Sequence, residues 1–188
     1  MNIYIHKQLT DKPWGGGNQF LKALRNELSR LGHYVKDVGE ADIVLFNSHH
    51  ELVNLLGIKR DFSDKLFVHR IDGPMAYRGA SGKKLDRKIF EINRLIADAT
   101  VFQSAWSQSE SRAKGICRNI FEATIPNAPD PQIFFPPKSM HHRKSKKKIR
   151  LAATGWSSSS NKGFDVYQYL DRNLDFSKYE FNYIGSVA

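Results

Sequence analysis

The sequence predicts an α/β protein, a Rossmann-like parallel sheet flanked by helices. Three observations favour this class. Short runs of β-branched and aromatic residues alternate with segments whose apolar residues repeat at helical spacing. Glycine-rich or polar loops join the two kinds of segment, and the hydrophobic content of 40% is typical of a packed core. No apolar run approaches the roughly 20 residues that span a bilayer. A cytoplasmic protein is therefore expected, and the single cysteine, Cys117, suits a reducing compartment as a small apolar core residue.

Signals for strands and helices alternate along the first part of the chain. A β-branched run opens the chain, and three glycines then precede a helix whose leucines follow the 3.6-residue period until Gly32. The predicted strands are 2–6, 33–38, 41–46, 65–71, 100–104 and 120–127. The further predicted helices are 50–58, 83–99 and 105–115.

A proline-rich stretch then interrupts the pattern. Residues 126–137 contain five prolines, which neither a helix nor a central strand tolerates. A βαβ pattern restarts behind it. Its predicted elements are a strand at 148–155, a helix at 164–174 and a strand at 179–185. The predicted domains are thus a Rossmann-like domain at 1–135, a Pro-rich and basic linker at 136–147 and the truncated start of a second Rossmann-like domain at 148–188.

This second domain is expected to be an incomplete βαβ unit, because two strands and one helix are too few to close a core. An unpaired strand edge and an uncovered helix face favour self-association. The sequence therefore predicts a homo-oligomer formed through the second domain, or a second domain that packs back on the first.

Positive charge is concentrated behind the prolines. The formal net charge is +10, and seven of these charges come from the lysines and arginines between residues 138 and 150. Such a run is typical of a solvated linker, and it also suits peripheral contact with an anionic membrane. No aromatic residues are interleaved with it to stack on bases, so nucleic acid is not an expected partner.

The glycines at 15–17 join a strand to the start of a helix. Free backbone N–H groups and the helix dipole favour an anion at such a position, and glycine lets a ligand approach the backbone closely. The spacing matches neither the dinucleotide fingerprint nor a P-loop. Two interpretations stay open for Gly15, Gly16 and Gly17: a tight turn, or access for a phosphate or a sugar.

Charged side chains cluster in "VHRIDGPMAYRG" (68–79). His69, Arg70 and Asp72 lie where a parallel strand ends, the edge at which open α/β sheets bind ligands. Arg70 and Arg78 can fork onto a phosphate or a carboxylate. Asp72 can accept from sugar hydroxyls or stabilise positive charge at a sugar carbon. The alternative is an Arg–Asp pair that pins the loop.

Other polar groups carry less information. Lys162 lies before the helix of the second domain, where it can meet a phosphate as a point charge. The doublets His49-His50 and His141-His142 have no cysteine or carboxylate at ligand spacing, so no metal site is expected. No nucleophile elbow or Cys/His pairing is present in the sequence.

As an ordered set, these stretches resemble the N-terminal half of a family 4 glycosyltransferase of the two-domain GT-B fold. The stretches are "IYIHK…WGGGNQFLKAL", "VHRIDGP", "ADATVFQSAWSQS" (97–109), "IPNAPDPQIFFPP" (125–137) and "AATGWSSSSNKGFDV…FNYIG". The resemblance covers nearly the whole chain. It implies sugar transfer from a nucleotide sugar to a carbohydrate or lipid-linked acceptor, with retention, without a metal and with no cofactor besides the donor.

The resemblance implies that residues 1–135 are the acceptor-side domain and that residues 148–188 are the truncated start of the donor-binding domain. The family's site lies in the cleft between these two domains, and the resemblance assigns residues to it. The residues implied for catalysis are His69 and Asp72. Those implied for donor or acceptor binding are Gly15, Gly16, Gly17, Asn18, Arg70, Arg78, Ser104, Asn127 and Lys162. Asp130 would shape the interdomain turn with Asn127, and Lys162 would neutralise the leaving diphosphate.

Two alternatives to this hypothesis stay open. The family's Glu-x7-Glu pair and the arginine expected near Trp156 have no counterpart in the chain, which leaves a non-catalytic fragment that binds a glycan or a polyanion. The other alternative is a nucleotide-binding Rossmann enzyme such as a dehydrogenase. The absence of a G-x-G-x-x-G motif from the sequence counts against it.

Overall fold

The computed structural model describes residues 1–11, 15–116, 121–129, 134–136, 148–155 and 162–185, apart from the side chains of Val53 and Arg78. The described residues fall into two compact units. The first draws on Met1–Leu9 and Gly16–Ile133, and the second on Thr10–Gly15 and Phe134–Ala188. The functional assignment of these parts to acceptor and donor stays a prediction, as do the predicted domain boundaries.

The first unit has a parallel sheet in which every crossover is a helix. Its strands are β1 (Ile3–His6), β2 (Ile43–Asn47), β3 (Leu66–Ile71), β4 (Ala99–Phe102) and β5 (Phe121–Thr124). Its helices are α1 (Gly16–Arg30), α2 (Leu52–Asp61), α3 (Ala80–Ile96) and α4 (Ala105–Ala113). Within the described ranges the five strands pair in the order β1-β2-β3-β4-β5, all parallel. This confirms the predicted α/β, Rossmann-like class.

The two faces of β3 contact different helices. His69 points to the face where α3 supplies Asn93, and its ring nitrogen meets the amide of that residue at 3.1 Å. Arg70 points to the opposite face, where it lies beside Asn47 of β2 and below the ring of Phe20 of α1. Alternation of side chains along a strand produces this division. Both faces of the sheet are covered, as is usual for parallel sheets.

The core has two clusters of buried apolar side chains. The first contains Val44, Phe46, Leu55, Phe67 and Ile96. The second contains Ile71, Ile89, Phe102 and Ile116. Residues from α2 and α3 pack on the strands in the first cluster, which explains why these two helices show an apolar stripe in the sequence.

The strand predicted at 33–38 was wrong. Only Tyr34 forms a bridge, to Ile3, and the chain then turns into a short 3₁₀ helix at Val38–Glu40. The carboxylate of Asp37 accepts a hydrogen bond at 2.7 Å from the N–H two residues further on, which ends any extended pairing. The other predicted strands and helices are present, with ends that differ by up to a few residues.

The second unit contains a parallel βαβ arrangement. Its elements are β6 (Ile149–Gly155), α5 (Phe164–Asn173) and β7 (Tyr179–Gly185). The two strands pair along their full length, from Ile149 opposite Tyr179 to Gly155 opposite Gly185. No side chain of α5 is buried in the described part of this unit. The predicted self-association through this unit stays a prediction.

No helix in the described ranges is both long enough and apolar enough to cross a bilayer. The basic run at 138–147 lies outside the described residues, so the predicted contact with an anionic membrane stays a prediction.

Candidate functional site

Polar side chains from four strands meet at the carboxyl edge of the sheet. Asn47 is the last residue of β2, Arg70 lies near the end of β3 and Asp72 follows that strand. Gln103 follows β4 directly, and Asn127 comes three residues after β5. Parallel strands end at one edge, so residues 80 positions apart in sequence become neighbours there.

The guanidinium of Arg70 connects these groups. Its Nη1 donates to Asn47 Oδ1 at 2.5 Å and to Asp72 Oδ1 at 2.7 Å. Its Nη2 donates to Asn127 Oδ1 at 2.8 Å and to Gln103 Oε1 at 3.3 Å. Only 3% of the residue is exposed. Both terminal nitrogens of Arg70 are thus engaged within the protein, and the predicted contact of Arg70 with a ligand stays a prediction.

The guanidinium of Arg70 also packs against an aromatic ring, and two of its hydrogen-bond acceptors bond to each other. Its guanidinium carbon lies 4.1 Å from the centre of the Phe20 ring, a cation–π arrangement. Asn127 donates from Nδ2 to Gln103 Oε1 at 3.0 Å, so two of the arginine's acceptors are bonded to each other. The geometry is that of a fixed frame around one buried cation.

Asp72 is the charged group of this frame that solvent reaches. Its side chain is 23% exposed, against 4% for the side chain of Arg70. One oxygen faces Arg70, and the other is 3.5 Å from the amide nitrogen of Asn47. The Asp72 backbone carbonyl accepts a hydrogen bond from Ser107 Oγ at 3.0 Å, which fixes the chain direction here. The carboxylate therefore has a defined orientation and an accessible oxygen.

His69 has a different environment from the one expected of a residue that faces a ligand. It is fully buried. Nε2 donates to the carbonyl of Ser48 at 3.0 Å, and Nδ1 accepts from the amide of Asn93 at 3.1 Å. Burial lowers the pKa of His69 to about 3, so the ring is neutral at ordinary pH. The imidazole holds the β2–α2 loop, where Ser48 adopts a left-handed φ of 49°.

This environment makes His69 a source of acid sensitivity. Below pH 6.5 the unfolded chain protonates this histidine while the folded chain keeps it neutral, so stability falls as pH falls. Replacing His69 by glutamine removes that titration. We expect the free energy of unfolding of the wild type to fall by about 1.4 kcal/mol per pH unit more steeply than that of His69→Gln between pH 6 and 4. Urea unfolding of both proteins at several pH values measures this, and parallel pH profiles would contradict it.

The helix that follows the glycines begins at Gly16. Gly16 and Gly17 have no positive φ, so their backbone angles do not themselves require glycine. Turns with negative φ values are common, so both interpretations of the three glycines stay open. A Cβ built at Gly15 or at Gly16 would meet no atom within 4 Å, and one at Gly17 would lie 3.9 Å from the amide nitrogen of Asn47. Gly15 and Gly16 are exposed and Gly17 is half-buried, so α1 begins at the protein surface, and the first N–H groups of a helix have no partner within the helix.

The other predicted site residues lie in several places. Ser104 caps α4 by accepting from the N–H of Ser107 at 3.0 Å. Asn18 is buried in the first turn of α1, and Lys162 is exposed before α5 in the second unit. Their predicted contacts with a ligand, like those of Gly15 to Gly17 and Asn127, stay predictions. The side chain of Arg78 and the whole of Asp130 lie outside the described residues.

Asn47, Gln103 and Phe20 belong to the frame although the sequence analysis did not select them. Asn47 and Gln103 are single polar residues at the ends of apolar strand patterns. Their position after β2 and β4 was the available signal, because it places them at the same edge as Asp72. Phe20 is an apolar residue of α1, and nothing in the sequence distinguishes it from the leucines of that helix.

The chain resembles known proteins at the level of structure and not of sequence. Neither family models nor curated protein sequences match the chain. Among solved structures, it is similar to the crystal structure of Anabaena HepE (Alr3699) in complex with UDP, with a TM-score of 0.61 and 13% identity. The alignment covers 97% of this chain and 69% of the HepE chain. At this identity the likeness supports the fold alone, in agreement with the α/β class.

Proposed function

We propose that the chain binds a UDP-sugar and belongs to a glycosyltransferase of the GT-B fold that transfers the sugar to a carbohydrate or lipid-linked acceptor. The observation that carries the proposal is the likeness of nearly the whole chain to HepE, whose structure contains UDP. Retention of configuration and membership of family 4 are the finer parts of the proposal, and they rest on the motif resemblance. A cytoplasmic location, near the pool of nucleotide sugars, agrees with it.

The start of α1 is the part of the first unit that suits the donor diphosphate. The helix has no acidic residue in its first turn, so nothing there opposes the positive end of the helix dipole. Gly16, the first residue of the helix, is exposed, and an added Cβ there would meet no atom within 4 Å. Backbone N–H groups at a helix start bind phosphate groups without a lysine or arginine.

Asp72 is the group we assign to the sugar. Its carboxylate is oriented by Arg70 and partly exposed. A carboxylate in this position accepts hydrogen bonds from sugar hydroxyls and stabilises the positive charge that develops on the anomeric carbon as the diphosphate leaves. The carbon–oxygen bond to the diphosphate breaks, and the diphosphate takes the electron pair. The acceptor oxygen forms the new bond to the anomeric carbon, and its proton passes to the departing diphosphate.

Replacing Gly16 by alanine tests the binding part of the proposal. A methyl group at this position meets no protein atom, and alanine suits a helix better than glycine. We expect the free energy of unfolding to stay the same or to rise by up to about 1 kcal/mol. The dissociation constant for UDP should increase by about tenfold, equivalent to ~1.4 kcal/mol, because the methyl group obstructs the diphosphate.

Gly57→Ala is the matched control for this experiment. Gly57 lies inside α2, and a Cβ there also meets nothing within 4 Å. Calorimetric titration with UDP should give the wild-type affinity for this variant. Equal affinities for Gly16→Ala and the wild type would show that the diphosphate does not approach this backbone.

Turnover of UDP-sugars separates the transferase from the non-catalytic alternative. Weak release of sugar from UDP-glucose, UDP-galactose or UDP-N-acetylglucosamine supports a transferase. Asp72→Asn, which keeps an oxygen facing Arg70, should then slow that release by about 100-fold while UDP affinity is kept. Binding of UDP without any turnover would favour a glycan- or nucleotide-binding fragment.

A further inference from the structure

An exposed pair of aromatic rings lies beside the Asp72 loop in the first unit. Tyr77 and Trp106 stack with their ring centres 5.8 Å apart and their planes 30° from parallel. Both are more than half exposed, at 58% and 54%. Two adjacent exposed rings present a contiguous apolar surface, which is the kind of surface that marks binding sites, unlike a single exposed ring. We call these two rings the aromatic platform.

The platform is held in place by the protein. Trp106 lies against Gly73, where an added Cβ would come within 2.7 Å of the indole ring. The hydroxyl of Tyr77 donates to Glu110 Oε2 at 2.5 Å. Both rings are therefore ordered before any ligand arrives, which lowers the entropy cost of binding.

A cationic pocket adjoins the platform. It has a volume of about 410 Å³, which falls within the range of small-molecule sites. Its lining residues are Ala76, Lys83, Asp86, Arg87, Phe90, Lys114 and Gly115. Lys114 connects the two features, because it lines the pocket and its Nζ lies 4.8 Å from the centre of the Tyr77 ring.

The charge of this pocket is positive. The carboxylate of Asp86 is buried and accepts from the N–H groups of Met75 and Ala76 at 2.7 and 2.8 Å. Lys114 forms an ion pair with Glu110, which lies one helical turn earlier in the chain. The side chains of Lys83 and Arg87 form no ion pair or hydrogen bond with any residue within the described ranges, and they supply the charge available to a ligand.

We propose that the platform and the pocket together bind a saccharide that carries an anionic group. One face of a pyranose ring consists mainly of C–H groups and packs on an aromatic ring, while the hydroxyl groups remain hydrated or bond to the protein. The phosphate or carboxylate of the same molecule pairs with Lys83 and Arg87. That this saccharide is the acceptor rests on the proposed function, since Gly73 joins the platform directly to Asp72.

Four probes test the proposal on the unaltered chain without a donor. They are glucose 6-phosphate, glucuronate, glucose and inorganic phosphate, titrated by calorimetry at low salt. We expect at least one of the two anionic sugars to bind at least tenfold more tightly than glucose and than phosphate, and the tighter of the two identifies the anionic group. If glucose binds as tightly as the anionic sugars, the pocket plays no part and the proposal is wrong. If inorganic phosphate binds as tightly, the platform plays no part and the proposal is equally wrong. The absence of binding by all four probes also overturns it.

Two variants locate the binding. Arg87→Gln should weaken binding of the anionic sugar at least fivefold, as should Trp106→Ala. Lys88→Gln is the charge control, because it lies on the same helix and does not line the pocket. Tyr169→Ala, an exposed aromatic in the second unit, is the aromatic control. Equal losses in variants and controls would overturn the assignment.

Titration with UDP distinguishes this inference from the proposed function. Sugar binding without UDP binding would overturn the transferase and leave the saccharide site standing. UDP binding without binding of either anionic sugar would overturn the saccharide site and leave the proposed function standing.

Discussion

Replacing Arg70 by methionine is expected to lower the free energy of unfolding by about 3 to 5 kcal/mol. The change leaves the Asp72 carboxylate without its partner in a site that is mostly buried. It also leaves the side-chain oxygens of Asn47, Gln103 and Asn127 without the donor they now share. Each polar group that loses its partner adds a cost. Denaturant unfolding followed by circular dichroism measures the loss.

Two further variants show whether the fork geometry or the charge matters. Arg70→Lys keeps the charge but not the planar fork, so we expect about half of that loss. Arg60→Met is the matched control, because Arg60 is 80% exposed and pairs only with the adjacent Asp61 among the described residues. An exposed ion pair of this kind contributes little to stability, so the Arg60 variant should unfold close to the wild type. Equal stability of the Arg70 and Arg60 variants would contradict the account of Arg70 as the connecting group of this edge.

Replacing Gly82 by alanine is expected to destabilise the protein by about 3 kcal/mol, near the upper end for an added methyl group in a packed site. Gly82 lies in the first turn of α3, and a Cβ there would be 1.8 Å from the carbonyl oxygen of Met75. That atom is backbone, so no side-chain rotation relieves the clash. The loop that carries Met75 also carries Asp72 and Tyr77, so the helix start and the loop must separate.

The variant that controls for Gly16→Ala also controls for Gly82→Ala. Gly57→Ala adds a methyl group inside α2 where nothing lies within 4 Å, and it should raise stability by up to about 1 kcal/mol. Thermal unfolding of both variants compares a crowded glycine with an uncrowded one. If Gly82→Ala unfolds at the wild-type temperature, α3 does not pack on the Met75 loop as described.

The fold was predictable because its signals are local. Buried parallel strands appear in the sequence as short apolar runs, and their crossover helices show an apolar stripe. The region around Tyr34 gave the wrong answer since its apolar residues also satisfy a strand pattern. A single side-chain interaction, the turn made by Asp37, decides that region, and such local hydrogen bonds compete with strand pairing.

The edge of the candidate site was predictable, but the roles of neighbouring residues were only partly so. Asp72 was expected at the carboxyl edge and lies there. His69 and Arg70 are consecutive in a strand, so their side chains must point to opposite faces, and the sequence analysis placed both toward one ligand. In the structure α3 covers the face of His69 and α1 covers the face of Arg70.

The hydrogen-bonded frame itself was beyond a reading of one sequence. Arg70 bonds to Asn47 of β2, which lies 23 positions before it in the sequence, and to Asn127 after β5, which lies 57 positions after it. No local pattern reports such a meeting. The stacking of Tyr77 on Trp106 likewise depends on how the loop after β3 meets the first turn of α4.

Calorimetric titration of the unaltered chain with UDP and with uridine tests the central claim most directly. The account predicts saturable UDP binding and at least tenfold weaker binding of uridine, because the diphosphate meets the start of α1. No heat from UDP up to about 1 mM, or equal affinity for uridine, would contradict it.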